Sequence, residues 1–485
     1  MTTTPASMES SPLSVDERAS LLPGVVPEEY GTTEAHFQQD DAVYQRFSPA
    51  RKRAIVALLS ASGLLPFFVS GSFVPSIPEV AREFDSTGPV INLAVSLSIL
   101  CESIGTIVWA TYAGFYGRRP IYLSSLPIFA LASLGVSFAH SVPQLLTWRI
   151  AQAFGVGGAL SVGAAVIGDI YKLEERGQAM GVFFGCCLIG PAIAPLAGGL
   201  AAHYASWRFM QFAFFVVGLA LVACMYAWLP ETSHPHARGI DKLHAQGAKQ
   251  ARWVWVNPFG GVALLKSPNV LGLCLVTSAV LTTDYVLLIP LSYTIGARYG
   301  ITNEAIIGAL FLPSGLGNMI SAPLFGRISD RIVVTMRKRR GGVWLPEDRL
   351  RGGYLSALLI VPTSVLLCGF ATRYVGGAPG IILNVIGLLL NGIGVVGVLS
   401  PSSTYYVDIA HTQSAEITAV TSALRGALIA LATAAALPLI NTVGFLETTA
   451  LSAALAWLGA AGMWVIIGHG DRMRAWVDIG YTASG

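Results

Sequence analysis

Twelve apolar stretches, each long enough to cross a bilayer, run through this chain and leave little choice of fold. A helix needs about 20 apolar residues to span the hydrocarbon core. The runs fall at approximately 54–75, 90–112, 121–140, 142–167, 178–202, 207–229, 269–292, 304–326, 353–371, 378–401, 416–440 and 446–467. Lipid offers no partner for a backbone amide, so segments of this length must bond internally, as helices. Composition agrees, with 53% hydrophobic and only 12% charged residues. An all-α membrane protein is the fold class expected.

Basic residues set the orientation, because Lys and Arg accumulate in the loops that stay inside. All but six of the 30 Lys and Arg lie on the side of the N-terminal tail or at its helix ends. Arg82, Arg208, Arg298 and Arg373 lie opposite, and Arg149 and Arg425 lie within spans. Both termini are therefore expected in the cytosol, with the protein in the plasma membrane or, alternatively, a vacuolar or endosomal one. The long connection after the sixth run divides the chain. Residues 1–52 read as a disordered cytoplasmic tail, 53–229 as one six-helix bundle, 230–267 as a cytoplasmic linker, 268–468 as a second bundle and 469–485 as a second tail. The tail also holds ERASLL at 17–22, an acid and di-leucine at the spacing of vacuolar sorting signals.

Several function classes fall away. The net charge of +3 is spread over many loops and offers no surface for nucleic acid. Cys101, Cys186, Cys187, Cys224, Cys274 and Cys368 all sit in apolar runs and form neither a disulfide framework nor a zinc spacing. GIGVVG at 392–397 fits a dinucleotide-binding pattern but lies in a span with no preceding strand. No metal, cofactor or enzymatic activity is expected.

The two halves echo each other. AGFYGRRP at 113–120 leaves the second run, and GRISDR at 326–331 leaves the eighth. The fifth run carries GCCLIGPAIAPLAGG at 185–199, with two prolines and four glycines where leucine would be preferred. Small residues let helices approach closely in lipid, and prolines bend them, so this run reads as a bending element between the halves.

On these motifs the chain resembles the major facilitator superfamily, and within it the twelve-span drug:proton antiporter branch. The resemblance implies two pseudo-symmetric six-helix bundles around a midplane site, working by alternating access as a monomer. It assigns gating roles to Gly117, Arg118 and Arg119, to Gly185, Gly190, Pro191, Pro195, Gly198 and Gly199, and to Gly326, Asp330 and Arg331. Arg149 and Gln152 match the helix 4 motif. Where relatives carry an aspartate in the first loop, this chain has Gly114, so a latch would rest on the Asp330 copy. PEDRL at 346–350, after the basic run RKRR at 337–340, is similar to the fungal quinidine-resistance and dityrosine transporter subgroup.

Ionisable groups inside spans are costly and usually functional. Glu102 and Asp284 are the candidates for proton coupling, since low dielectric suits a carboxyl that loads and releases a proton. Arg149 and Arg425 are the candidates for holding an anion. Gln152 and Asn391 are candidate polar contacts, and Asp169 with Arg176 could pair with the Arg118–Arg119 loop. The expected activity is proton-coupled export of a small organic acid, for instance a dicarboxylate such as itaconate. A multidrug or polyamine exporter of the same mechanism, and a metabolite sensor that moves nothing, are the alternatives.

Overall fold

The computed structural model describes residues 44–171, 173–233, 238–245, 254–409, 414–474 and 476. ERASLL lies outside them. Among the described residues, twelve helices are long and apolar enough to cross a membrane. In chain order they are α1 (Pro49–Glu83), α2 (Gly88–Tyr116), α3 (Arg118–Ser137), α4 (Val142–Ile170), α5 (Ala179–Tyr204) and α6 (Trp207–Trp228), then α7 (Pro268–Gly296), α8 (Glu304–Arg339), α9 (Pro346–Tyr374), α10 (Gly377–Ile409), α11 (Glu416–Val443) and α12 (Phe445–Arg474).

Capping explains where several begin. The Ser48 side chain accepts from the Arg51 amide with Pro49 at the first helical position, so α1 starts there and not at 54. Asn303 accepts from Ala305 and Ile306 at the start of α8, 2.8 and 3.3 Å away. Several helices run past their apolar windows. Helix α8 continues to Arg339, thirteen residues beyond the apolar run that ends at 326, because a helix need not stop where the hydrocarbon does. Short π-helical segments at Ser292–Gly296 and Ser356–Ile360 interrupt α7 and α9.

Within the first half, α1 packs on α5, α2 on α4, and α3 on α4 and α6. The second half repeats this six helices later: α7 on α11, α8 on α10, α9 on α10 and α12. The halves meet along α2 with α11 and along α5 with α8, the two pairs a twofold axis would exchange. An even number of spans puts the start of α1 and the end of α12 on one face, here the terminal face, opposite the far face.

Among the described residues, apolar packing between the halves is concentrated on one side. A single apolar cluster takes Phe73, Ile77 and Val95 from the first half together with Leu291, Phe311 and Ile429 from the second. Toward the terminal face the core splits into two clusters, one for each bundle. Helix α5 follows the same division. Side chains added at Gly198 and Gly199 would strike the backbone of Ser72 and Glu304, and one at Gly190 would strike Phe67. At Gly181 and Gly185 an added Cβ would meet nothing within 4 Å. The glycines and prolines of α5 thus fit a close far-face crossing that opens toward the terminal face.

Candidate functional site

Helices α2 and α11 pack closely at Gly426, where an added Cβ would overlap the Ser103 hydroxyl. The residues beside this crossing are Glu102 on α2 and Arg425 on α11. Both are half-buried. Neither has an oppositely charged partner within 4 Å among the described residues, and Arg425 donates to Ser422 on its own helix, 3.1 Å away. Tyr285 on α7 lies within electrostatic reach of Glu102, Arg425 and Asp284, so it marks the ground between the halves. Asp284 accepts from Ser314 of α8 at 3.1 Å. Two carboxyls and one guanidinium, brought by three helices, are therefore gathered where the bundles meet.

Arg149 sits behind this group and is fully buried. It donates to the Val69 carbonyl at 3.1 Å and to Gln152 at 2.9 Å, and its guanidinium lies 4.5 Å from the centre of the Phe73 ring. Its Nε and second terminal nitrogen have no hydrogen-bond partner among the described residues, and Glu102 is the carboxylate whose charge acts on it. Gln152, also fully buried, donates to Ser133 at 2.8 Å and to Gln211 at 2.9 Å, tying α3, α4 and α6 together. Asn391 occupies the corresponding place in the second half. It donates to Thr283 and to Ser364, each at 3.1 Å, joining α7, α9 and α10. The structure thus gathers Glu102, Asp284 and Arg425 at the inter-bundle space, and sets Gln152 and Asn391 inside the bundles. Leucine at Gln152 would strand its hydrogen-bond partners and is expected to cost about 1–3 kcal/mol. A thermal unfolding midpoint in detergent that did not fall would contradict this.

Charge pairs brace the terminal face. Arg118 pairs with Asp169 at 3.0 Å; the side chain of Arg176 lies outside the described ones. Glu231, from the end of α6, accepts from the backbone amides of Arg118 and Arg119 at 3.0 and 3.3 Å. A carboxylate at a helix N-terminus satisfies free amides and meets the positive end of the dipole. Gly117, with φ of 107°, leaves room for that carboxylate, which a Cβ would strike. In the second half Arg349 binds Asp330 at 2.8 Å and also pairs with Asp408. Gly114 offers no counterpart to Asp330, so Arg118 has one acid fewer than Arg349. Gly326 has open space around it, and Arg331 is exposed.

Sequence reasoning used PEDRL only as a mark of resemblance, yet all three of its charges are engaged. Glu347 pairs with Arg474 and accepts from the Tyr405 hydroxyl at 3.2 Å. Asp348 takes Arg340 at 2.5 Å and Arg351 at 3.2 Å. Arg349 makes the pairs already described. The available signal was a pair of adjacent acids, Glu347 and Asp348, set between a basic run and Arg349 with Arg351.

Comparison with known proteins agrees with this architecture. Residues 59–436 match the family model described as Major Facilitator Superfamily. The efflux pump FUBT of Fusarium oxysporum is 28% identical over 81% of this chain and 69% of its own length. The efflux pump radE of Floropilus chiversii is 26% identical over 90% of this chain and 83% of its own length. Citrate exporter 1 of Aspergillus niger is 24% identical over 59% of this chain and 58% of its own. Among solved structures, the xylose transporter XylE from E. coli, in a partially occluded inward open conformation, superposes with a TM-score of 0.61. That likeness, at 15% identity over 85% of this chain and 98% of that one, concerns the fold. Twelve spanning helices in two matched bundles, a polar group between them and a family match over most of the length lead to one conclusion: this chain is a multi-pass membrane transporter, not an enzyme, and belongs to the Major Facilitator Superfamily.

Proposed function

We propose that the protein exports a small organic acid in exchange for protons, by rocking its two bundles about the space beside Glu102 and Arg425. The observation that carries this reading is Arg425, a half-buried guanidinium between the bundles with no carboxylate within 4 Å among the described residues. Such a group suits a carboxylate ligand, which it can grip through two parallel hydrogen bonds. Glu102 and Asp284 are the ionisable acids beside it and serve as the proton-coupling groups. Arg149 compensates Glu102 when that carboxyl is ionised, while Gln152 and Asn391 hold the helices that carry the site. On this reading the terminal face is cytoplasmic and the membrane is the plasma membrane. The citrate exporter among its relatives supports a carboxylate cargo, and a dicarboxylate such as itaconate is the reading favoured here.

Arg425→Ala is expected to weaken carboxylate binding about 10- to 150-fold, the equivalent of a charge-assisted hydrogen bond of about 1.5–3 kcal/mol. Ligand-induced rise of the unfolding midpoint in detergent reads this directly, with citrate and itaconate set against spermidine and a cationic dye. Stabilisation by spermidine or dye alone would transfer the site to a cationic cargo.

A further inference from the structure

An anion on Arg425 and a proton on Glu102 attract each other, since the proton removes a neighbouring negative charge. A carrier that exchanges the two therefore needs protons to act on its gates as well. The far-face seal contains a group suited to this. His203, at the end of α5, faces the Glu304 carboxylate of α8 at 3.3 Å through Nδ1, and the Asn303 side-chain NH2 donates toward Nε2 at 3.4 Å, a contact that protonation of Nε2 would exchange for water. Arg82 of α1 reaches the other oxygen of Glu304 at 3.4 Å. Glu304 therefore joins two helices of the first half to one of the second. Gly199 sets the spacing, because it lies four residues before His203 on the same helical face and touches the Glu304 backbone.

Charge around this junction is unbalanced. Glu79 feels the charges of Glu304 and Glu83 against those of Arg82 and Arg208, and one Glu79 oxygen is buried without a hydrogen-bond partner among the described residues. Arg208 is itself held by Glu83. The Tyr204 ring packs edge-on against His203 at 4.7 Å. A positive charge on His203 would match the third acid. Histidine is the side chain that ordinarily changes charge between about pH 5 and 8.

We propose that His203 and Glu304 form a second proton-binding site, on the far face, whose occupancy holds the two bundles closed there. The two residues belong to different bundles, so the pair exists only in the closed state and the proton binds that state more tightly. By linkage, acid favours closure. Protons from the far side then return the emptied carrier to the orientation open at the terminal face. The site's place in the transport cycle rests on the exchange reading above; its existence does not.

The test measures distances between spin labels at Ala205 and Thr302, on a cysteine-free background of the full chain in lipid nanodiscs. Between pH 7.5 and 5.5 the ratio of short to long distances is expected to rise about fivefold in the otherwise unaltered protein. His203→Gln should abolish most of that rise, and His203→Arg should hold the short distance at both pH values. An unchanged pH response in His203→Gln, or a His203→Arg protein that still opens at pH 7.5, overturns the proposal. If the His203-dependent response appears but no proton-driven flux does, the exchange reading fails and this site stands. If flux is proton-driven but the distance ignores His203, this site fails and the exchange reading stands.

Discussion

Glu347→Ala is expected to lower the thermal unfolding midpoint more than any other single substitution at the terminal face. The carboxylate is 4% exposed and the guanidinium it meets, on Arg474 at the end of α12, belongs to a residue 9% exposed. Breaking a buried pair from one side takes from the Arg474 guanidinium the carboxylate it is buried against, which costs about 3–5 kcal/mol. The same substitution frees the Tyr405 hydroxyl, which also accepts from Asn269 at 2.9 Å, so the bond network from α7 through α10 to α12 loses its centre. The double variant Glu347→Leu with Arg474→Met removes both charges and keeps the volume, and should recover most of the loss. Equal falls for the single and double variants would show that the charges themselves, and not their pairing, hold the three helices together.

Gly199→Val and Gly185→Val should both stop turnover, and for opposite reasons. At Gly199 a side chain would strike the Glu304 carbonyl oxygen, and a backbone atom cannot rotate away. At Gly308, across the same crossing, a side chain would likewise strike the Pro195 carbonyl. Overpacking of this kind costs about 1–3 kcal/mol, enough to move a two-state equilibrium by roughly 5- to 150-fold away from far-face closure. Gly185 has open space in the present arrangement, so valine there is accommodated now and obstructs only the state in which the bundles close at the terminal face. A cysteine at Ser72, beneath the far-face crossing, should become reactive toward an impermeant thiol reagent in Gly199→Val and stay protected in Gly185→Val. The same reactivity in both variants would deny that this one motif serves two gates.

How far the sequence announces this protein depends on which physical constraint is at work. The spans were legible because the absence of water in lipid makes a run of about 20 apolar residues unambiguous. The division into two bundles was legible from repeated loop motifs and a long connection. Helix ends were not, since α8 continues to Arg339 on polar residues that no hydropathy window includes. Within the candidate site, Glu102 and Arg425 stood out as charges in apolar runs, and the structure adds that Ser103 and Gly426, their immediate neighbours, form the crossing between halves. Hydrogen bonding drew Gln152 and Asn391 into the bundles, and no spacing rule reports that Ser133, Gln211, Thr283 and Ser364 wait there as partners. The far-face group was also out of reach, because Arg82, His203 and Glu304 are separated by some hundred residues each and meet only when the helices cross.

Uptake into inside-out proteoliposomes under an imposed proton gradient tests the central claim most directly. Labelled itaconate, citrate, spermidine and a cationic dye would be offered to the wild type, Glu102→Gln and Arg425→Ala. The account predicts that a carboxylate accumulates against its gradient only while the proton gradient lasts, that Glu102→Gln loses this response, and that Arg425→Ala takes up none. Accumulation of spermidine or dye alone, or carboxylate uptake indifferent to the gradient and to Arg425, would contradict it.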